Sequence, residues 1–104
     1  MTVVPKPGLR LRSLTCETEV VVVRTPGTEV DLRCGGAPMA PVDSESASAG
    51  PPVAPFDGGT LMGKRYVTED ESLELLCTKP GAGSLAAGEA PLNVKGAKPL
   101  PYSD

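Results

Sequence analysis

The sequence predicts a small all-β protein, a pseudo-twofold structure of two hairpin units with extended tails. Four consecutive valines occupy positions 20–23, and side chains branched at Cβ favour a strand. Glycine and proline contribute 12 residues each to a chain of 104, and so many turn-forming residues divide the chain into short segments. No segment shows the spacing of apolar residues that an amphipathic helix requires.

The first part of the chain is predicted to be an extended arm followed by the first hairpin unit. Residues 1–8 contain two prolines and a glycine, which interrupt regular structure, so we expect an arm there. In the unit, residues 9–39, the valine run and the alternating segment 29–33 flank Pro26 and Gly27. Because this dipeptide is typical of a tight turn, the two runs are predicted to pair as a hairpin.

A change of composition separates the first unit from a second one. Residues 40–59 are mostly Ala, Pro, Ser and Gly and contain no Lys or Arg, which predicts either a linker or a strap along the surface. Residues 60–92 are the second hairpin unit, with strands expected at 66–67 and 73–77 on either side of an acidic turn. Residues 93–104 contain two prolines and are predicted to form an extended tail.

The two units resemble each other as an internal repeat. The segment 32–39 matches 85–92 through a shared Leu-x-x-Gly-x-Ala-Pro-apolar string. With two gaps the preceding runs also align, and this alignment matches Val20 with Leu73. One three-stranded unit is too small to be stable alone, so we expect the two copies to bury their apolar faces against each other. The alternative is chance similarity in a chain rich in Gly, Pro, Ala and Val.

The composition limits the chemistry and the partners open to this chain. It has no histidine, and therefore no Ser-His-Asp triad, no Cys-His pair and no His-rich metal site. The net charge of −3 argues against nucleic acid and against an anionic membrane surface, which both attract basic proteins. We therefore expect neither as a partner.

The expected location is cytoplasmic. No apolar run approaches the roughly 20 residues that span a bilayer. The first residues lack an apolar core followed by a small-residue cleavage site, so we expect no signal peptide. The three cysteines are an odd number, which is unusual for the disulfide framework of a secreted domain.

Two cysteines of the first unit occur in a recognisable pattern. Residues 14–39 read LTCETEVVVVRTPGTEVDLRCGGAPM and resemble the desulforedoxin-type rubredoxin-like domain, which also forms the amino-terminal lobe of desulfoferrodoxins. The pattern of that family is Cys-x-x-Cys-Gly, a hairpin and Cys-Cys-Gly-x-Pro-Met. The resemblance implies a tetrahedral iron site of four thiolates. It also implies a dimer of such units, which fits an internally duplicated chain.

The chain keeps only part of that ligand set. Glu19 and Arg33 stand where the second and third cysteines of the pattern belong, so only Cys16 and Cys34 remain. One interpretation is that the metal is lost and both are buried apolar residues or form a facultative disulfide. A second is a zinc site of Cys16, Cys34 and either Glu19 or Cys77. A third is a redox-active or nucleophilic role for one exposed thiol, and Arg33 beside Cys34 is expected to lower the pKa of that thiol.

Two further segments have a functional and a structural interpretation. The acidic residues of the second unit can bind a hard cation or form a solvated turn, and the turn is favoured because calcium-loop spacing is missing. The segment 81–84, Gly-Ala-Gly-Ser, can bind a phosphate or form a hairpin turn. The turn is again favoured, because a strand–loop–helix context is missing. The acidic residues are Glu69, Asp70, Glu71 and Glu74.

We therefore expect a non-catalytic accessory subunit or adaptor that docks on a larger protein or enzyme and holds no cofactor. Extended proline-rich chain orders at low cost along a partner, so residues 1–8, 40–59 and 93–104 are the expected docking segments. The alternative is a rubredoxin-like protein that binds zinc or iron or transfers electrons. A thiol-dependent enzyme is a third hypothesis, although no histidine is present to activate the thiol. Whether the chain forms a homo-oligomer stays open.

Overall fold

The computed structural model describes residues 4–44 and 48–95 and contains only strands and turns in these ranges, which confirms the all-β prediction. Each unit has five strands. Those of the first unit are β1 (Arg10–Arg12), β2 (Glu19–Arg24), β3 (Leu32–Cys34), β4 (Ala37–Pro38) and β5 (Ala40–Pro41). Those of the second unit are β6 (Arg65–Val67), β7 (Glu74–Lys79), β8 (Leu85–Ala87), β9 (Ala90–Pro91) and β10 (Asn93–Val94).

The strands form two antiparallel sheets whose order shows the internal symmetry. One has the order β10-β6-β7-β2-β1-β5 and the other β4-β3-β8-β9. Exchanging each strand of the first unit for its counterpart in the second reverses both orders, so each sheet has the same order read from either end, as a twofold axis requires. The units therefore meet through two strand pairs, β2 with β7 and β3 with β8.

The predicted hairpin between the valine run and residues 29–33 is wrong. The valine run lies in β2, which pairs with β1 and β7, whereas β3 pairs with β4 and β8. Residues 25–31 instead cross from one sheet to the other. The physical reason is burial: pairing β2 with β7 places its inward-facing Val20 and Val22 in the core, where they are 1% and 2% exposed. Alternating polarity marks a strand but does not identify its partner.

The register of the repeat is right in its second half and wrong by two residues in its first. The backbone of Met39 donates to Leu32 and that of Leu92 to Leu85, each at 3.0 Å, as the matched strings predict. In the first half, β2 and β7 correspond from their first residues onward, so Val20 corresponds to Leu75 rather than Leu73. The cause is the β7–β8 link, residues 80–84, which is two residues shorter than the β2–β3 link.

The core lies between the two sheets and draws on both units. Its fully buried members include Leu11 of β1 and Leu75 of β7, each with 0% exposure. Tyr66, 6% exposed, is the one aromatic side chain of the buried cluster among the described residues. A core built mainly from aliphatic side chains agrees with the three aromatic residues of the sequence.

The described parts of the arm and of the 40–59 segment pack on the body of the protein. In the arm, Gly8 donates its backbone N–H to Val22 at 2.8 Å. Residues 48–59 follow the surface and bond to both units: Val53 donates to Gly35 at 3.0 Å, and Ser84 of the second unit donates to Phe56 at 2.8 Å. We call residues 48–59 the strap.

A short strand lies at the start of each of two segments that were predicted to be irregular, 40–59 and 93–104. Residues 40–41 form β5 and residues 93–94 form β10, at the two edges of the six-stranded sheet. Residues 96–104 of the predicted tail lie outside the described residues. Within the described ranges, no helix is present that has the length and apolarity needed to span a bilayer.

A buried carboxylate connects the edge of the six-stranded sheet to its centre. Glu74 on β7 is 2% exposed and bonds to Lys95 Nζ at 2.8 Å and Arg65 Nη1 at 3.2 Å. The hydrogen bond from Lys95 lowers the pKa of Glu74 below its ordinary value of 4.5, although burial acts to raise it. Because the pKa is lower in the folded state, Glu74 stabilises the fold above the unfolded-state pKa. This contribution is lost as the pH falls below it.

We therefore expect the urea midpoint to fall between about pH 6 and about pH 3, and to fall less in Glu74→Gln. The amide cannot gain a proton, so the variant lacks this source of acid sensitivity while starting from a lower stability. Circular dichroism of urea-unfolding curves across the pH range measures the effect. The matched control is Glu69→Gln, which removes an exposed carboxylate. Equal acid sensitivity in the two variants would contradict the prediction.

Candidate thiol site

The fold brings together two of the four residues predicted as metal ligands. Cys16 lies in the β1–β2 link and Cys34 is the last residue of β3. Their Sγ atoms are 3.9 Å apart. Both are free cysteines; Cys34 is fully buried and Cys16 is half-buried. The two thiols are therefore neighbours in space that differ in their access to solvent.

Polar groups surround the Cys16 sulfur. It lies 3.4 Å from Ser13 Oγ and 3.2 Å from Thr18 Oγ1, and the backbone N–H of Gly83 donates to it at 3.3 Å. Ser13 and Thr18 are themselves 4% and 0% exposed. When Cys16 is a thiolate, both hydroxyls can turn to donate to it, since a hydroxyl acts as donor or acceptor.

These contacts separate the acidities of the two thiols. Burial acts to raise the pKa of Cys16, but hydrogen bonds from Ser13, Thr18 and Gly83 outweigh it and lower the pKa to about 6. Burial raises the pKa of Cys34 to about 12, and the neighbouring Cys16 adds to this rise. The lowering expected from Arg33 is therefore wrong, and the Arg33 guanidinium pairs with Asp31 instead. At neutral pH the arrangement therefore favours a Cys16 thiolate beside a protonated Cys34.

The second unit contributes to this site through the β7–β8 turn. A Cβ atom on Gly83 would lie 3.1 Å from Cys34 Sγ and 3.0 Å from the backbone of Gly35, so a side chain at this position would need its neighbours to shift by a few tenths of an ångström. The turn interpretation of residues 81–84 agrees with their position between β7 and β8. Their contact with the cysteines was not predicted. The only signal in the sequence is the pair of glycines, 81 and 83.

The structure does not bring Glu19 and Cys77 into this group. Glu19 is in register with Lys79 of β7 and lines a surface depression with Arg10. Cys77 is 1% exposed, and its thiol donates to the backbone oxygen of Lys79 at 3.2 Å. Among the described residues, no three His, Cys, Asp or Glu side chains lie close enough together to hold a metal ion. The zinc and iron assignments remain predictions.

Two of the four acidic residues singled out in the second unit, Asp70 and Glu74, have structural roles. Asp70 Oδ1 accepts bonds from the Thr68 hydroxyl at 2.8 Å and from the Ser72 backbone at 3.0 Å. The Ser72 bond is the largest cause of the lowered pKa of Asp70. Glu74 forms the buried ion pairs described above. The geometry therefore agrees with the turn interpretation of this segment.

A second surface feature lies on the outer face of the six-stranded sheet. In antiparallel pairs, residues directly opposite each other share a face. The register gives four such residues in a line across the joint between the units, with an exposed arginine at each end and half-buried aliphatic side chains between them. We call this line the arginine row; its members are Arg65, Leu76, Val21 and Arg10.

No protein-family model, curated protein or solved structure matches this chain. The similarity to desulforedoxin-type domains therefore remains a prediction from the cysteine pattern of the first unit. Arg33, at the third ligand position of that pattern, pairs through Nε with Asp31 Oδ2 at 2.9 Å.

Proposed function

We propose that this chain is a non-catalytic accessory subunit or adaptor that docks on a larger protein through the arginine row. The observation that carries the proposal is the row itself, which presents two apolar side chains between two exposed guanidinium groups on an open sheet face. Apolar centres with charged edges are typical of protein-binding surfaces.

The dimensions of the row suit a helix of the partner. Neighbouring strands lie about 4.8 Å apart, so the backbones of β6 and β1 are about 14 Å apart across β7 and β2. An α-helix with its side chains is about 10 Å wide. A helix that lies over Val21 and Leu76 therefore places its two edges beside Arg10 and Arg65.

The charge of the sheet specifies the chemistry of that helix. The chain as a whole carries −3, yet the strands of the six-stranded sheet carry five basic and two acidic residues. Carboxylates on both edges of an apolar helical stripe complement this surface, because guanidinium groups bind carboxylates in a bidentate geometry. The partner we propose is therefore a larger protein with an exposed amphipathic helix whose edges are acidic.

The described part of the arm and the strap have partners within the chain. Gly8 of the arm bonds to β2, and the strap bonds to both units. Those contacts support the use of the sheet face rather than the arm or the strap for the partner.

Photo-cross-linking in the cells that naturally produce the protein shows whether the partner contacts the arginine row or the strap. The photo-cross-linker p-benzoylphenylalanine replaces Val23, which lies on β2 next to the row and is 40% exposed. In the control it replaces Val53 of the strap, which is 63% exposed. We expect one adduct of discrete mass from position 23 and none from position 53. An adduct from position 53 alone would overturn the assignment of the docking face.

A charge variant tests the chemistry of the contact. In Arg10→Gln, we expect the yield of the adduct from position 23 to fall, because the partner's carboxylates on that edge lose their guanidinium group. Arg65 is kept, because it also pairs with the buried Glu74. The control, Lys6→Gln, removes the same charge from an exposed site outside the row and should retain the adduct. Equal yields from both variants would contradict the proposal.

A further inference from the structure

We propose that Cys16 and Cys34 are a redox-active dithiol, which a hydroperoxide converts into an intramolecular disulfide. Their Sγ atoms lie 3.9 Å apart in the reduced chain. A disulfide bond is about 2.0 Å long, so an approach of roughly 1.9 Å closes it. This proposal is independent of docking through the arginine row.

The position of each cysteine shows which one moves. Cys34 ends β3, which pairs with β4 on one side and β8 on the other. Cys16 lies in the irregular β1–β2 link, and links of this kind open at lower free energy than paired strands. The link therefore carries Cys16 toward a fixed Cys34.

Solvent access assigns a different role to each sulfur. Cys34 is 0% exposed, so a dissolved oxidant does not reach it directly. Cys16 is only half-buried and lies within reach of Ser13, Thr18 and the backbone N–H of Gly83. These donors stabilise an anionic sulfur and the oxygen that leaves from a peroxide. Because Cys16 is half-buried, its sulfur is more accessible to a small hydroperoxide than to a bulky disulfide.

The reaction proceeds in two balanced steps. The Cys16 thiolate attacks one oxygen of the hydroperoxide; an S–O bond forms, the O–O bond breaks, and the leaving oxyanion takes a proton from water. Cys34 then attacks the Cys16 sulfur of the resulting sulfenic acid. The S–S bond forms, the S–O bond breaks, and the departing hydroxide leaves as water with the proton from Cys34. Both sulfurs are oxidised, and the peroxide supplies the two-electron oxidant.

The third cysteine supplies an internal reference. Cys77 is 1% exposed, and its thiol donates to the Lys79 backbone oxygen. It therefore has neither the access of Cys16 nor the set of donors around it. Trypsin cuts the chain after Arg24 and Arg33, and no two cysteines share a tryptic peptide, so each thiol can be followed separately.

The test treats the full-length reduced chain with hydrogen peroxide at pH 7, quenches it with N-ethylmaleimide and maps the unreduced peptides by mass spectrometry. We expect one cross-linked pair, Cys16 with Cys34, lighter by two hydrogens. We also expect Cys16 to be consumed at least about ten-fold faster than Cys77, because oxidation follows exposure and thiolate character. Dithiothreitol should restore both thiols.

Three variants resolve the order of the steps. In Cys34→Ser, dimedone should trap Cys16 as the sulfenic acid, and in Cys16→Ser, Cys34 should stay reduced at the same peroxide dose. Cys77→Ser should form the disulfide at the rate of the unmodified chain. Circular dichroism checks that each variant is folded. The rates at which Cys16 and Cys77 are oxidised are also measured in the unmodified chain, where no substitution can disturb the fold.

Three results would overturn the proposal. One is oxidation of Cys16 no faster than that of Cys77. Another is a disulfide that contains Cys77. The third is stoichiometric zinc in the purified chain that shields both Cys16 and Cys34 from N-ethylmaleimide, which would support the metal-site interpretation instead.

Discussion

Gly81→Ala is expected to destabilise the fold by about 3 kcal/mol or more, at the upper end of the usual cost of overpacking. A Cβ atom at this position would lie 2.6 Å from the backbone nitrogen of Thr18 and 2.9 Å from Cys16 Sγ. The nitrogen belongs to a buried backbone that cannot rotate away. The two units must therefore separate locally, and the β7–β8 turn would withdraw from the thiol site. The gain from a less flexible unfolded chain, about 0.4–1 kcal/mol, is too small to compensate.

Urea unfolding followed by circular dichroism measures this effect, with Gly58→Ala as the matched control. A Cβ at Gly58 would meet only the side-chain oxygen of Ser84, at 3.0 Å, and this short side chain can turn about its Cα–Cβ bond to move the oxygen away. We expect the control to lose less than about 1 kcal/mol, since outward-facing substitutions have small effects. A similar loss in both variants would show that the units do not approach as closely as the structure places them.

The second large effect is expected from Leu75→Ala, with a loss of about 2–5 kcal/mol in unfolding free energy. Leu75 is 0% exposed and lies directly opposite Tyr66 on one side and Val22 on the other. Its truncation leaves a cavity at the joint between the two units, where the surrounding strands are fixed by their hydrogen bonds. The loss therefore includes both the removed apolar surface and the cavity.

Leu61→Ala provides the control for this substitution, because it removes the same atoms from a side chain that is 60% exposed. The backbone N–H of Leu61 donates to the Tyr66 hydroxyl at 2.9 Å, and the substitution leaves that bond in place. We expect a change within about 0.5 kcal/mol. If Leu61→Ala were as costly as Leu75→Ala, the core would not lie where the structure puts it.

The sequence allowed the fold class and half of the repeat to be predicted because these depend on local signals. Side chains branched at Cβ identify β2. The string at 32–39 matches the string at 85–92, and this match gives the correct register of the repeat. The pairing of β2 with β7 depends on which faces bury each other, and no local pattern encodes that. The link 80–84 is two residues shorter than the link 25–31, and this difference shifted the alignment of the first half of the repeat.

The candidate site was predictable in its cysteines and not in its surroundings. Cys16 and Cys34 are identified by the resemblance to the desulforedoxin-type pattern, whereas Gly83, which donates to Cys16 Sγ, is 67 positions away in the chain. Contacts at such separations follow from the packing of the two units. Ser13 and Thr18 are near Cys16 in sequence, but Ser and Thr are common in loops, so their orientation toward the sulfur becomes evident only in three dimensions.

The pairing of strands from one unit with strands of the other affects how the protein unfolds. Because both sheets contain strands from each half, separating the halves exposes the whole aliphatic interior at once and leaves neither half with a core of its own. We therefore expect melting to be a single cooperative transition, with calorimetric and van't Hoff enthalpies that agree. We expect a fragment that ends within the strap to stay unfolded until it meets its complementary fragment.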